Sequence, residues 1–157
     1  MPPPLLVNLR DMDLERIVFD RGEIEKLNPQ RHQMRQLDGI VFFDKNQGII
    51  VGYKDVTLDE FWIPGHIPGR PIMPGVIMIE AAAQLVSFAA KKLNDIDRFI
   101  GFGGIHNAKF RGTVAPGCRL YLAGRLVENR PRRVTFDTQG VVDGQIVFEA
   151  RIIGMPV

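Results

Sequence analysis

The sequence predicts an α+β fold in which an antiparallel sheet of about six strands wraps around one long helix. Residues 76–90 form the helix, because Ala, Met, Ile and Leu leave this stretch apolar on nearly every face, as in a fully buried helix. Turn signals at residues 44–48 and at Asp143–Gly144 separate β-rich runs, as expected of antiparallel hairpins. The predicted strands cover residues 40–43, 49–53, 99–110, 120–126, 134–142 and 145–153.

Composition and charge narrow the class of protein. The chain has 157 residues, of which 45% are hydrophobic, and this is enough for one domain with a substantial core. A net charge of +2 argues against nucleic-acid binding over a large surface. The single cysteine, Cys118, excludes an internal disulfide and is typical of a reducing compartment. No secretory signal is visible, and the long helix is too short to span a membrane, so we expect a cytoplasmic protein without membrane insertion.

The chain divides into an N-terminal arm, residues 1–20, and a single domain, residues 21–157. The arm begins with a proline run and is predicted to be poorly anchored, although Leu14, Ile17 and Val18 are available to pack on the domain. A short helix is expected over residues 22–28, where it ends before Pro29.

Two residues near the start of the long helix are candidates for acid–base chemistry. Residues 62–75 predict a rigid loop, because four prolines fix φ and three glycines permit tight turns. His66 lies in this loop, and a general base needs such a fixed position, although an isolated histidine is more often structural. Glu80 lies in the apolar helix, where a carboxylate is costly unless it is used. Together they suit proton abstraction at one carbon and proton delivery to a leaving group.

The polar residues of the helix form one stripe. Glu80, Gln84, Ser87 and Lys91 are spaced by four, three and four residues, so they share one side of the helix. Gln84 follows Glu80 by one turn and is a candidate to orient its carboxyl. A helix–helix polar contact is an equally good interpretation of the Gln84 spacing.

The helix start is a candidate site for a developing oxyanion. The first N–H groups of a helix, here those of Gly75 and Val76, have no partner within the helix and lie at its positive end. A glycine at position 75 lets a carbonyl oxygen approach closely. The alternative is that Pro74 and Gly75 only begin the helix.

Other motifs point to neither a metal nor a cofactor. His32 and His106 are single histidines without Cys, Asp or Glu at ligand spacing, and no phosphate-binding glycine loop is present. Several basic residues could form a rim for an acidic partner, although a solvated face is the commoner role of each. These residues are Arg70, Lys109, Arg111, Arg119, Arg130, Arg132 and Arg133.

The run from His66 to Gly75, with Pro68, Pro71 and Pro74 inside it, is followed by Glu80 and Gln84. This arrangement resembles the signature of the bacterial β-hydroxyacyl-acyl-carrier-protein dehydratases of fatty-acid synthesis. The resemblance extends over residues 27–153 and includes the stretches 104–117 and 142–150. Glutamate at position 80, where the isomerising sister group has aspartate, points to the dehydratase-only branch.

The resemblance implies a hotdog fold and a homodimer, which such enzymes commonly assemble into a trimer of dimers. It implies that His66 abstracts the proton α to a thioester and that Glu80, oriented by Gln84, protonates the departing β-hydroxyl. The amides of Gly75 and Val76 would hold the thioester oxygen, and no cofactor would be needed. The substrate would be a (3R)-hydroxyacyl chain carried into an apolar tunnel by acyl carrier protein. Carrier docking is assigned to Arg70, Lys109 and Arg111.

The chain also departs from the family pattern. Ile67 replaces the phenylalanine that usually follows the histidine, and residues 29–39 match poorly. Gly101 stands where an aromatic residue often gates the tunnel, and His106 replaces a common aspartate. Two alternative functions follow from the same fold. One is a hydratase or thioesterase that acts on coenzyme A thioesters, and the other is a non-catalytic acyl-binding module.

Overall fold

The computed structural model describes residues 3–157 and contains one six-stranded sheet and one long helix. The sheet is antiparallel throughout, with the strand order β1-β2-β4-β5-β6-β3. Its strands are β1 Gly39–Asp44, β2 Ile49–Asp55, β3 Ile100–Phe110, β4 Arg119–Arg130, β5 Arg133–Val142 and β6 Gln145–Pro156. The helices are α1 Arg21–Leu27 and α2 Gly75–Asn94, with short 3-10 turns at Leu9–Asp11 and His32–Met34. This is the predicted hotdog fold.

Helix α2 is the core around which the sheet wraps. Ala81, Leu85 and Phe88 are completely buried, and they pack with side chains from the inner face of the sheet in one large apolar cluster. The helix runs four residues beyond the predicted end at residue 90, through a last turn that contains Lys91 and Lys92. Basic side chains are favourable at this negative end of the helix dipole, so the polar last turn is compatible with helix.

The predicted hairpin at Asp143–Gly144 is confirmed. Both residues have positive φ, 49° and 77°, which is the backbone of a tight two-residue turn between β5 and β6. The turn between β1 and β2 is also confirmed, since the Asp44 carboxylate accepts hydrogen bonds from the amides of Asn46 and Gln47.

The N-terminal segment is anchored more firmly than the sequence predicts. The Gln139 side chain accepts a hydrogen bond from the Leu6 amide at 2.8 Å and donates one to the Pro4 carbonyl at 3.0 Å. Val7 and Leu9 are then buried in a second apolar cluster on the outer face of the sheet. This cluster also contains Val41, Val51, Tyr53, Ala123 and Val141. The first two residues of the predicted arm lie outside the described residues.

The three apolar residues expected to pack from the arm differ in burial. Leu14 packs against the outer cluster, whereas Ile17 and Val18 are 51% and 43% exposed. Val18 and Phe19 donate backbone hydrogen bonds to the Ile40 carbonyl, and Ile40 donates one to the Phe19 carbonyl. The end of the arm is therefore attached to β1 by these backbone bonds and by the Phe19 ring, which packs against Phe43 of β1 and Phe88 of α2.

Strand β3 lies at one edge of the sheet and pairs only with β6. Its apolar side chains Phe102, Ile105 and Phe110 are 49%, 38% and 51% exposed. An edge strand with unpaired backbone groups and exposed apolar side chains is a ready surface for pairing with another chain. Among residues 3–157, no helix combines the length and apolar character that a membrane crossing requires.

Candidate active site

Glu80 is held by a side chain of its own helix. The Gln84 amide nitrogen donates a hydrogen bond to Glu80 Oε1 at 2.8 Å, across one turn of α2. The same nitrogen donates to the Met34 carbonyl at 2.7 Å, and Gln84 Oε1 accepts from the Gln36 amide at 2.8 Å. Because the two backbone groups fix which end of the amide is nitrogen, Gln84 is obliged to present a donor to Glu80.

The segment that follows α1 is attached to α2 along the predicted polar stripe. Asn28 Nδ2 donates to the Gln84 carbonyl at 2.9 Å, and Lys91 Nζ donates to the Leu27 carbonyl. Burial lowers the pKa of Lys91, which is only 2% exposed. Two of the four stripe residues, Gln84 and Lys91, thus connect α2 to residues 27–36. The other two, Glu80 and Ser87, face a cavity.

The His66 ring is held by the loop before α2. Its Nδ1 lies 2.8 Å from the Ile72 carbonyl oxygen, while its backbone amide donates to the Trp62 carbonyl at 2.8 Å. The peptide bond between His66 and Ile67 is cis. A carbonyl oxygen only accepts hydrogen bonds, so Nδ1 carries the proton and the lone pair of a neutral ring is on Nε2. This is the state that a general base requires.

The start of α2 offers two backbone donors. The Pro74 carbonyl accepts hydrogen bonds from Ile77 at 2.9 Å and Met78 at 3.2 Å, whereas the amides of Gly75 and Val76 bond to no carbonyl among residues 3–157. A Cβ at position 75 would lie 2.7 Å from Cε1 of Phe110. The close neighbour that explains the glycine is therefore an aromatic ring of β3.

A cavity lies between α2 and strands β3, β5 and β6. Glu80 and Gln84 form part of its wall, and apolar side chains form most of the rest. These apolar residues include Ala83, Val86, Ala90, Val134, Phe136 and Ile152. Gly101 also lines the cavity, and its neighbours Phe99 and Phe102 supply aromatic side chains to the wall. His66 is not among the lining residues.

The three basic residues predicted to dock a carrier differ in their surroundings. Arg70 and Lys109 are exposed and form no ion pair within the described chain. Arg111, the residue directly after β3, instead pairs with Glu149 of β6 at 3.0 Å. Glu149 is also the cross-strand partner of Lys109, so this end of the surface is partly neutralised. Within residues 3–157, no cluster of three or more His, Cys, Asp or Glu side chains is arranged to bind a metal ion.

The residues that surround the Glu80–Gln84 pair are not predicted from the sequence. Gln30 lines the cavity, and the backbone groups of Met34 and Gln36 fix the Gln84 amide. These contacts join residues 48 and 50 positions apart in the chain, so no local pattern reports them. The only signal was the abundance of amide and basic side chains in residues 28–36.

Comparison with known proteins places the chain in a family. A family model described as the FabA-like domain matches residues 28–151. A 3-hydroxyacyl-acyl-carrier-protein dehydratase FabZ of Campylobacter lari is 36% identical over 143 residues, which are 88% of this chain and 97% of the relative. A FabZ of Clostridium botulinum is 37% identical over 136 residues, or 86% and 94% of the two chains.

The dehydratase heterocomplex ApeI:P of Xenorhabdus doucetiae has a similar structure, with a TM-score of 0.73 at 15% identity. The alignment covers 85% of this chain and 90% of that one, and it supports the fold alone. The family match spans both the loop that holds His66 and the helix that holds Glu80. The chain therefore belongs to the FabA-like family.

Proposed function

We propose that this protein is a 3-hydroxyacyl-acyl-carrier-protein dehydratase of fatty-acid synthesis, which removes water from (3R)-hydroxyacyl thioesters to give trans-2-enoyl thioesters. The observation that carries the proposal is a carboxyl, Glu80, oriented by Gln84 in the wall of a largely apolar cavity. Relatives named as this dehydratase are 36% and 37% identical over nearly their whole length. In this proposal the acyl chain occupies the cavity, and its β-hydroxyl meets an acid, Glu80, at the polar part of the wall.

His66 acts as the base in this reaction. Nε2 accepts the proton from the carbon next to the thioester, while Nδ1–H remains bonded to the Ile72 carbonyl. The hydrogen bond to Ile72 fixes the ring and stabilises the imidazolium that forms. The two electrons of the broken C–H bond form the new carbon–carbon double bond as the β-hydroxyl leaves.

Glu80 acts as the acid. Oε1 accepts from the Gln84 amide, so the proton of the neutral carboxyl lies on Oε2, and Oε2 delivers it to the departing hydroxyl as water forms. The amides of Gly75 and Val76 hold the thioester oxygen, on which negative charge develops when His66 removes the proton.

The active form in this proposal is a homodimer, with a trimer of dimers as the larger assembly. His66 does not line the cavity that contains Glu80, and the β3 edge exposes Phe102, Ile105 and Phe110. Pairing of two β3 strands would satisfy the free edge and cover these side chains. It would also bring His66 of one subunit towards Glu80 of the other.

The substrate arrives on acyl carrier protein, and its docking is assigned to the basic residues beside the predicted dimer edge. Arg70 and Lys109 carry most of the attraction in this proposal, because Arg111 is already paired with Glu149. The location is cytoplasmic, where the free thiol of Cys118 stays reduced.

Mass spectrometry of the intact carrier tests the function. The protein is incubated with carrier-bound (3R)-hydroxyacyl chains of several lengths, and we expect a loss of mass equal to one water. Glu80→Gln and His66→Ala should each lower kcat by about a hundredfold to ten-thousandfold while melting like the wild type. Release of free acid would show a thioesterase instead. An unchanged substrate series, or full activity in either variant, would contradict the assignment.

A further inference from the structure

Two polar side chains in the wall of the cavity take no part in holding Glu80. Ser87 follows Glu80 by seven residues in α2, which is about 10 Å along the helix axis. Its hydroxyl makes no hydrogen bond to any of residues 3–157, including the Ala83 carbonyl one turn back. Gln30 lines the same cavity, and its Oε1 is buried without a hydrogen-bond partner in the described chain.

Both groups line the same cavity, and the segment that contains Gln30 is bonded to α2. Asn28 donates to the Gln84 carbonyl, and that carbonyl points towards the turn of α2 that contains Ser87. The segment that includes Gln30 therefore passes beside this turn. Two polar neighbours share this side of α2, but Gln84 bonds to Glu80 and Met34, and Lys91 bonds to Leu27. The neighbours Ala83, Val86 and Ala90 offer no polar partner.

An unsubstituted acyl chain is a poor partner for this part of the wall. It would remove water from the half-buried Ser87 hydroxyl and leave Gln30 Oε1 without a partner, and a polar group that loses its hydrogen bonds on burial is costly. A chain that carries an oxygen at this depth would offer a donor or an acceptor to both. Serine in a helix can instead bond to the carbonyl four residues back, but Ser87 does not do so here.

We propose that Ser87 and Gln30 are specificity-determining residues that favour acyl chains with a second oxygen substituent beyond the reacting β-carbon. The ligand class is a 3-hydroxyacyl thioester with a further hydroxyl or oxo group on the chain. The inference rests on the proposed function, because that function assigns the cavity to the acyl chain. It adds a selection on the chain itself, away from Glu80 and His66.

A binding measurement tests this preference without catalysis. Unreactive S-alkyl pantetheines of increasing length are compared by calorimetry with matched compounds in which one hydroxyl is moved along the chain. We expect one hydroxyl position to tighten binding to the wild-type protein by about tenfold over the plain chain. Ser87→Ala and Gln30→Leu should each reduce the ratio of the two affinities, hydroxylated chain over plain chain, mainly because the plain chain binds more tightly. Ser87→Thr should keep this ratio.

The variants also separate this inference from a structural role. Ser87→Ala favours helix, so we expect its melting temperature to equal or exceed that of the wild type. A wild-type ratio near one at every hydroxyl position would overturn the inference. A ratio that neither Ser87→Ala nor Gln30→Leu changes would overturn it as well.

The dehydration assay tells the two proposals apart. If the wild-type protein binds hydroxylated chains selectively but removes water from no carrier-bound substrate, the proposed dehydratase function is refuted. The proposed role of Ser87 and Gln30 in chain selection is then still supported. If the protein instead dehydrates plain and oxygenated chains of equal length with equal kcat/KM, and binds them equally, the proposed role of Ser87 and Gln30 is refuted. The proposed dehydratase function is then still supported.

Discussion

At the scale of single residues, the site depends on hydrogen bonds that determine whether each polar group donates or accepts. The Ile72 carbonyl obliges His66 Nδ1 to be the donor, and the backbone of Met34 and Gln36 obliges Gln84 to present N–H to Glu80. Each side chain is thus fixed in both position and proton pattern by main-chain groups. Such fixation would keep the proposed acid, Glu80, and the proposed base, His66, in place without reorganisation during the reaction.

Gln84→Ala tests this fixation. Loss of the amide leaves the Gln36 N–H and the Met34 carbonyl without partners and frees the Glu80 carboxyl to rotate. We expect the unfolding free energy to fall by about 1–3 kcal/mol. We also expect kcat to fall by at least about tenfold, because the acid is no longer oriented. Steady-state kinetics and urea denaturation measure the two effects.

Gln36→Ala is the matched control for that loss. It removes another buried amide, which bonds to the Gln33 carbonyl, but it keeps the backbone N–H that orients Gln84. Stability should fall in both variants, whereas kcat should fall only in Gln84→Ala. Equal losses of kcat in the two variants would mean that Gln84 acts through general stability.

At the scale of elements, the sequence predicts what depends on local pattern and misses what depends on distant contacts. The strand runs, the turn at Asp143–Gly144 and the buried face of α2 follow from alternation, turn chemistry and helical spacing. The docking of the N-terminal segment depends on Gln139, which lies 133 residues from Leu6. The pairing of Arg111 with Glu149 likewise depends on the β3–β6 register. No local sequence pattern predicts either contact.

The candidate site shows the same division between local and distant contacts. The spacing of Glu80 and Gln84 is local, so the sequence predicts their hydrogen bond. The partners that orient Gln84, and the place of Gln30 in the cavity wall, come from a segment about 50 residues earlier. Only the folded chain brings them together.

The N-terminal segment should contribute to stability through the apolar side chains that it buries on the outer face of the sheet. Leu9 is 8% exposed and packs in the cluster that contains Val51 and Tyr53. Leu9→Ala should lower the unfolding free energy by about 2 kcal/mol, near the lower end for buried leucines, because the site borders solvent. Arg10→Ala, at the exposed neighbouring position, should change it little. Similar melting temperatures for Leu9→Ala and the wild type would mean that the segment does not hold the sheet.

The last turn of α2 should make stability depend on pH. The unfolded chain keeps the Lys91 proton up to the ordinary pKa of 10.5, whereas burial lowers the pKa of Lys91 in the folded chain. Between these two pKa values the unfolded state binds more protons, so the unfolding free energy rises as the pH rises. The Lys91→Met variant has no titratable group at this position, so it lacks this contribution to the pH dependence. Urea denaturation from about pH 7 to about pH 10 should show wild type gaining stability relative to the variant. If the difference in unfolding free energy between wild type and Lys91→Met stays constant over this pH range, the Lys91 ammonium is not costly to bury.

At the scale of the whole molecule, one feature of the fold remains open to another chain. The sheet has two edges, and the β3 edge presents Phe102, Ile105 and Phe110 beside the Gly75 end of α2. Glu80, the proposed acid, lies in a cavity bordered by this strand, and His66, the proposed base, lies in a loop outside that cavity. Dimerisation through β3 would therefore serve stability and catalysis together, since it would cover the edge and complete two sites by twofold symmetry.

Mixing two inactive variants tests whether two chains share each site. His66→Ala chains and Glu80→Gln chains should each be inactive alone. In a mixed dimer, one site carries both substitutions and the other carries neither, so the second site regains activity. Random pairing of equal amounts makes about half of the dimers mixed, and recovery should reach about a quarter of wild-type activity. The control is wild type mixed in equal amounts with the double variant, where each site of a mixed dimer lacks one of the two residues. Activity should therefore fall to about a quarter of the wild-type value, below the half that simple dilution gives. No recovery, with mixed dimers present by native mass spectrometry, would place His66 and Glu80 of one site on the same chain.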